Sequence, residues 1–280
     1  MKRSRYLMAL VLAALVGVAL QVWCQTAGFD PVTRLVVPGS PALLATGIYF
    51  GLVPVAFLLF SLALRGSSAP GRGELFGNLG FVGRFLGVLA GLLWLAGGGL
   101  RLREDVTPLL YRRWAGLGDC LVDGLLCLGG VCLIWLALSR KNPRPQSLLT
   151  LIPGFGACFW LITFYHTQSR DPIVARYIWT LLCLMAAVLA LYHQAAYCFG
   201  RPAPVRTLFF TLTAGAWAFG ALPSATELSQ ALLLTGLGCW MLMHSLLIPN
   251  APAPEEAPQT PEAPEESQSS SFPEESGPDL

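Results

Sequence analysis

Residues 117–138 read LGDCLVDGLLCLGGVCLIWLAL, an apolar run in which the only charged side chains are Asp119 and Asp123. Its length matches the roughly 20 helical residues needed to cross a ~30 Å hydrocarbon core. Seven other stretches share this character: 7–24, 42–64, 80–100, 148–166, 174–199, 207–223 and 228–248. The shortest, 207–223, is closed by Pro223. Backbone groups in lipid must be paired internally, and none of these runs shows the alternation of a barrel strand, so they predict helices. The expected fold class is all-α: a polytopic transmembrane helical bundle of eight spans over residues 1–248, with no soluble domain between them.

Composition agrees. The chain has 280 residues, 54% hydrophobic and only 12% charged, with a mean hydropathy of +0.59. A soluble domain carries about twice that charged fraction, and a disordered chain is far less apolar. Lys2, Arg3 and Arg5 before Leu7–Leu20 resemble the start of a secretory leader. The run continues through Val22, Trp23 and Cys24 without a small-residue cleavage site, which predicts an uncleaved first span.

Orientation follows from the basic residues near span ends. With the N-terminus cytoplasmic, eleven of the 18 lie inside: Lys2, Arg3, Arg5, Arg65, Arg72, Arg84, Arg140, Lys141, Arg144, Arg201 and Arg206. The outer segments hold Arg34, Arg101, Arg103, Arg112, Arg113, Arg170 and Arg176, matched by Asp30, Glu104, Asp105, Asp119, Asp123, Asp171 and Glu227. The four arginines of 101–116 run against the rule. An even number of spans places both termini in the cytoplasm.

Residues 249–280 differ in kind. They contain eight prolines and eight acids and almost no large apolar side chain, so they cannot bury enough surface to offset their ordering entropy. A disordered acidic cytoplasmic tail is expected. It could solubilise, bind a protein partner, or associate loosely with Arg140, Lys141 and Arg144.

The halves rhyme. Asp30-Pro31-Val32-Thr33-Arg34 after span one is echoed by Asp171-Pro172-Ile173-Val174-Ala175-Arg176 after span five. Spans three and seven each open near an arginine, Arg84 and Arg206, and carry Trp94 and Trp217. A 4+4 parallel repeat would produce this; shared punctuation of membrane helices is the alternative.

Asp119 and Asp123 stand one turn apart on one helix face, where a charge costs about 2.5–3.5 kcal/mol at mid-membrane and less near the headgroups. Arg101 and Arg103, across the hairpin, are their natural partners. With Arg170 and Asp171 they form the candidate polar cluster, read either as structural pairing or as a solute, proton or cation site. Gly116-Leu117-Gly118-Asp119 matches the short motif of intramembrane aspartyl proteases, but that chemistry needs two aspartates on facing helices. No second span supplies one, and Pro41-Ala42-Leu43 precedes the motif instead of following it.

Gly80, Gly83, Gly87 and Gly91 form a small-residue stripe, joined by Gly129 and Gly130 in the next span, which favours close helix packing. Pro54 and Pro153 fall inside spans. The eight cysteines contain no C-x-x-C and read as small apolar fillers. His166, His193 and His244 lack metal-site spacing; His166, near Arg170, is the one beside the cluster. Trp23, Trp94, Trp114, Trp160 and Trp179 predict an interfacial belt. No catalytic, cofactor or metal site is expected, and the basic groups lack the aromatic interleaving of a nucleic-acid interface.

The second half, with Ala157-Cys158-Phe159-Trp160-Leu161-Ile162, Ser169-Arg170-Asp171-Pro172, Tyr177 and Leu189-Ala190-Leu191-Tyr192, resembles uncharacterised multi-span membrane proteins of Gram-positive bacteria over about residues 148–248. The resemblance implies a bacterial plasma membrane and brings no assigned activity. The expected function is a non-catalytic scaffold, accessory or sensor protein in the lipid bilayer. The alternative is a small-solute transporter with a polar site near the outer ends of helices 3–5.

Overall fold

The computed structural model describes residues 2–30, 32–33, 35–63, 80–111, 117–139, 143–171, 173–199, 201 and 203–247. The acidic tail, Arg65, Arg72, Glu74, Arg112, Arg113, Trp114, Gly116, Arg140 and Lys141 lie outside these residues, as do the side chains of Lys2, Arg3 and Arg144.

The described residues form eight α-helices and no strand: α1 Lys2–Ala27, α2 Pro41–Leu62, α3 Phe81–Tyr111, α4 Leu117–Leu138, α5 Pro143–Gln168, α6 Ile178–Cys198, α7 Pro204–Gly220 and α8 Leu228–Leu247. Short 3-10 turns at Val174–Arg176 and Leu222–Ser224 lead into α6 and follow α7. Seven of the helices are long and apolar enough to cross a membrane. The exception is α7. It has 17 residues, a length of about 25 Å, and ends before the turn holding Pro223.

That short helix is also largely enclosed. It packs against α1, α2, α6 and α8, and eleven of its 17 residues are buried. A helix wrapped by protein need not match the lipid thickness as closely as one that faces lipid.

Consecutive helices run antiparallel, so α1, α3, α5 and α7 all finish at one end of the bundle, here the distal end. At the proximal end Tyr6 meets Phe60 edge-on at 5.1 Å, within an apolar cluster of Tyr6, Leu10, Phe57, Leu208 and Leu212. At the distal end, the loop after α1 is closed by an isolated bridge between Phe29 and Val36. Gly39 takes φ 74° there, a left-handed conformation that glycine adopts without strain, before Pro41 starts α2.

The main core runs through α3, α4, α5, α6 and α8, with Trp94, Trp160, Trp240, Leu126, Leu133 and Leu184 fully buried. Trp94 Nε1 donates to the Leu233 carbonyl at 3.0 Å. Trp94 and Trp160 therefore belong to the core and not to the expected interfacial belt; Trp23 is exposed, and Trp179 stacks on Phe50 at 4.2 Å. Gln194 ties three helices: its Oε1 accepts from Trp240 Nε1 at 3.0 Å, and its Nε2 donates to Thr211 Oγ1 at 3.2 Å. The outside is apolar instead. Met8, Leu12, Leu52, Leu59, Leu121 and Ile162 are all exposed, a surface that suits hydrocarbon better than water.

Glycines set the closest helix approach. A Cβ added at Gly91 would sit 2.7 Å from the Gly130 carbonyl oxygen, and one at Gly130 would sit 2.8 Å from that of Gly91. The α3–α4 contact is thus backbone against backbone, as the glycine stripe predicts. The halves do not pack alike: α6 lies along α7, whereas α2, its counterpart in a 4+4 repeat, scarcely touches α3.

Candidate functional site

Polar side chains gather at the distal end in two places. The first is the α3–α4 hairpin. Charged residues were expected to lie beyond the third span, but α3 continues past Leu100 to Tyr111, because Arg101–Val106 contains no helix breaker and its polar side chains can reach the rim. Arg101 Nε lies 3.1 Å from Asp123 Oδ1; Asp123 is fully buried and the Arg101 side chain is 21% exposed. Asp105, one turn beyond Arg101 on the same face, brings its carboxyl against that of Asp123.

This partly corrects the sequence reading. A second aspartate does face Asp123 from another helix, and it comes from the extension of α3. It pairs with Asp123 and not with Asp119 of the Gly-x-Gly-Asp motif, which is exposed. The guanidinium of Arg101 already occupies Asp123, which is the arrangement of an ion-paired anchor. Arg103 and Glu104 are exposed on the rim. Spacing could have found Asp105, since it stands four residues after Arg101, had the helix been extended through its charges.

The second place is a vestibule of about 550 Å³ among the distal ends of α1, α5, α6 and α8 and the turn after α7. Such a volume lies within the range typical of small-molecule sites. Asp171 is one of its lining residues, so it separates from Arg101, Arg103, Asp119 and Asp123. Arg170, its neighbour in sequence, is exposed and does not line it, and neither does His166.

The two Asp-Pro echoes meet here, for Asp30 and Asp171 both line the vestibule. Each carboxylate folds back on its own turn. Asp30 Oδ1 accepts from the Val32 N–H at 2.7 Å and the Thr33 N–H at 3.0 Å, and Asp171 Oδ1 accepts from the Ile173 N–H at 2.9 Å. The donated hydrogen bonds of Thr33 and Val32 hold the Asp30 carboxyl below the usual carboxylate range. Arg176 reaches Asp171 Oδ2 at 3.6 Å and lies 6.0 Å from the Phe29 ring centroid.

The rest of the lining is amide, hydroxyl and aromatic: Gln25, Gln168, Gln230, Thr180, Ser224 and Tyr177 are among its residues. Thr180 and Ser224 hydroxyls stand 3.5 Å apart. No single span carries enough of these groups to signal a site; it exists only because four helix ends and a turn converge.

Deeper in the bundle, between Leu133, Gln194 and Trp240, a space of about 10 Å³ remains, at most room for one water. Leu136, Thr150, Pro153 and Leu191 complete its lining. Among the described residues no group of three or more His, Cys, Asp or Glu could hold a metal ion. None of the eight cysteines is joined in a disulfide, and four of them are buried. In comparisons with known proteins, no family model, no curated protein and no solved structure matches the chain.

Proposed function

We propose that the chain is a non-catalytic sensor or accessory protein of a bacterial plasma membrane, which binds a small polar solute in its distal vestibule. The observation that carries this reading is the cavity of about 550 Å³ at the ends of α1, α5, α6 and α8. A dense core beneath it, with about 10 Å³ of space at the level of Gln194, favours binding over passage. Capture of Asp123 by Arg101 favours an anchoring role for those acids over a proteolytic one.

In this reading α7 is an eighth crossing shielded by its neighbours, the distal end faces outward, and both termini are cytoplasmic. The support is the excess of basic residues on the proximal side. The tail 249–280, with eight acids, would then carry the output to a cytoplasmic protein partner. The paired Asp30 and Asp171 turns support an ancient 4+4 repeat locally, although the helix packing of the two halves does not.

Reporter fusions after Arg144 and at Leu280 should both give cytoplasmic signals; an external signal at either would overturn the orientation. For the site, a solute mixture should raise the unfolding temperature of the purified protein, and Ser224→Trp, which fills the vestibule, should remove the rise. Proteoliposomes loaded with the same solutes should show no flux above empty vesicles. Saturable flux that Ser224→Trp blocks would establish transport instead.

A further inference from the structure

Arg176, the cation among the lining residues of the vestibule, is already paired with Asp171, and this limits what the vestibule can hold. Asp30 is satisfied by two backbone N–H groups. Asp171 takes one backbone N–H and the guanidinium of Arg176. An anion, or the carboxylate end of a zwitterion, entering here would meet no unpaired cation and would face the Asp30 carboxylate, yet would lose part of its hydration, a costly exchange.

Apart from Asp30, the groups left open to a ligand are uncharged. The amides of Gln25 and Gln168 are committed to no partner among the described residues, and Gln230 uses only its Oε1, which accepts from the Thr226 N–H at 3.4 Å. Each amide offers donors and an acceptor together, while the Ser224 hydroxyl already donates to the Ala221 carbonyl at 2.6 Å and offers its oxygen as an acceptor. Complementary groups must likewise donate and accept, and must be several, since amides and hydroxyls approach from three sides. Hydroxyl groups spread over a compact carbon frame meet that requirement. The C–H edges of such a frame can rest on Phe29, Phe164 and Tyr177, which share the lining.

We infer that the ligand of the distal vestibule is a neutral polyhydroxylated solute of monosaccharide or polyol class. This inference rests on the sensing reading above and narrows it. The volume of about 550 Å³ holds one such ring with bridging water, and those waters can carry hydrogen bonds that the amides do not reach directly.

The test uses the full chain in lipid nanodiscs, followed by its unfolding temperature. The probes are glucose, xylose, glycerol and inositol; glycine and glutamine as zwitterions; lactate and phosphate as anions. At least one neutral polyol should raise the unfolding temperature saturably, with the charged probes inert. Gln168→Leu should weaken its half-saturation about tenfold, the scale of a lost ligand hydrogen bond. Gln168→Glu keeps the size of the side chain but removes its donors, and should weaken binding similarly if the fold of the leucine variant suffers. If a charged probe binds while polyols do not, the ligand class is wrong but the vestibule remains a sensing site. If no probe binds, the inference falls; if the broader solute mixture also has no effect, the sensing reading falls with it.

Discussion

Arg101→Ala is expected to destabilise the protein by about 3–5 kcal/mol, the range for leaving one partner of a buried ion pair alone. The two members are not equivalent. Asp123 is fully buried, whereas the Arg101 side chain retains 21% exposure and can swing its guanidinium towards the rim when its partner is gone. Asp123→Ala should therefore cost less than Arg101→Ala, and the double variant less than Arg101→Ala alone. Asp105→Asn should act in the opposite direction, because it relieves the meeting of two carboxyls at a single guanidinium. Unfolding in a graded denaturing detergent, at neutral pH, ranks the four variants. Equal losses for the two single variants would show that the cluster lies in wetter surroundings than its burial indicates.

The second large effect belongs to the glycines of the α3–α4 contact. Gly91→Leu and Gly130→Leu should each prevent the two helices from reaching their native separation, with little folded protein recovered. Even Gly130→Ala should cost about 1–3 kcal/mol, the range for overpacking. Its Cβ would fall 2.7 Å from the Leu95 amide nitrogen and 2.8 Å from the Gly91 carbonyl oxygen, and backbone atoms have no rotamer through which to yield. Gly124 is the control on the same helix. Nothing lies within 4 Å of a Cβ added there, so Gly124→Ala should be neutral or stabilise slightly through helix propensity. Recovery of monodisperse protein after membrane extraction, followed by thermal unfolding, separates the four variants. A well-folded Gly91→Leu protein would mean that the helices are not held this closely.

The readability of the sequence varied from element to element for physical reasons. The helix over 117–138 is legible at both ends because Gly116 and the polar run from Ser139 to Asn142 interrupt the apolar sequence. The end of α3 was missed by more than two turns. Hydropathy falls at Arg101, but the helix does not stop, since charged side chains at a rim are compatible with helical backbone. The glycine stripe was legible, for spacing by four is itself the geometry of a helix face. Trp94 and Trp160 were misjudged in the opposite way. Their position along the span was read, but their direction around it was hidden, because a helix apolar on all sides carries no sign of which side faces protein.

The candidate site shows the same division. Arg101 and Asp123 could be joined from hairpin logic, which is local. Asp171 was singled out but assigned to the wrong company, since its neighbours in the vestibule come from residues near 25, 168, 180, 224 and 230. Convergence of five separate segments leaves no pattern in any one of them. The glutamines, threonines and serine of the lining also announce no chemistry by their type. The Gln194 link to Trp240 and Thr211 was equally silent, as a lone glutamine in an apolar run looks the same whether it is satisfied or not.

The position of α7 has a consequence for the order in which the molecule can be built. The helices α1 and α2 make little contact with anything but each other, α7 and α8. About 140 residues separate the end of α2 from the start of α7, so at typical synthesis rates the first hairpin waits roughly 7–28 s for its principal neighbour. During that interval Tyr49, Thr46 and Gln21, all buried in the finished protein, must be sheltered by lipid, by the insertion machinery or by one another. The bonds from Tyr49 to the Ala13 carbonyl at 2.7 Å and from Thr46 to the Leu20 carbonyl at 3.3 Å lie wholly within α1 and α2. They allow the early hairpin to satisfy two of its own polar groups before the later helices emerge, whereas the Gln21 amide is buried with no hydrogen-bond partner among the described residues, so the later helices enclose it without satisfying it.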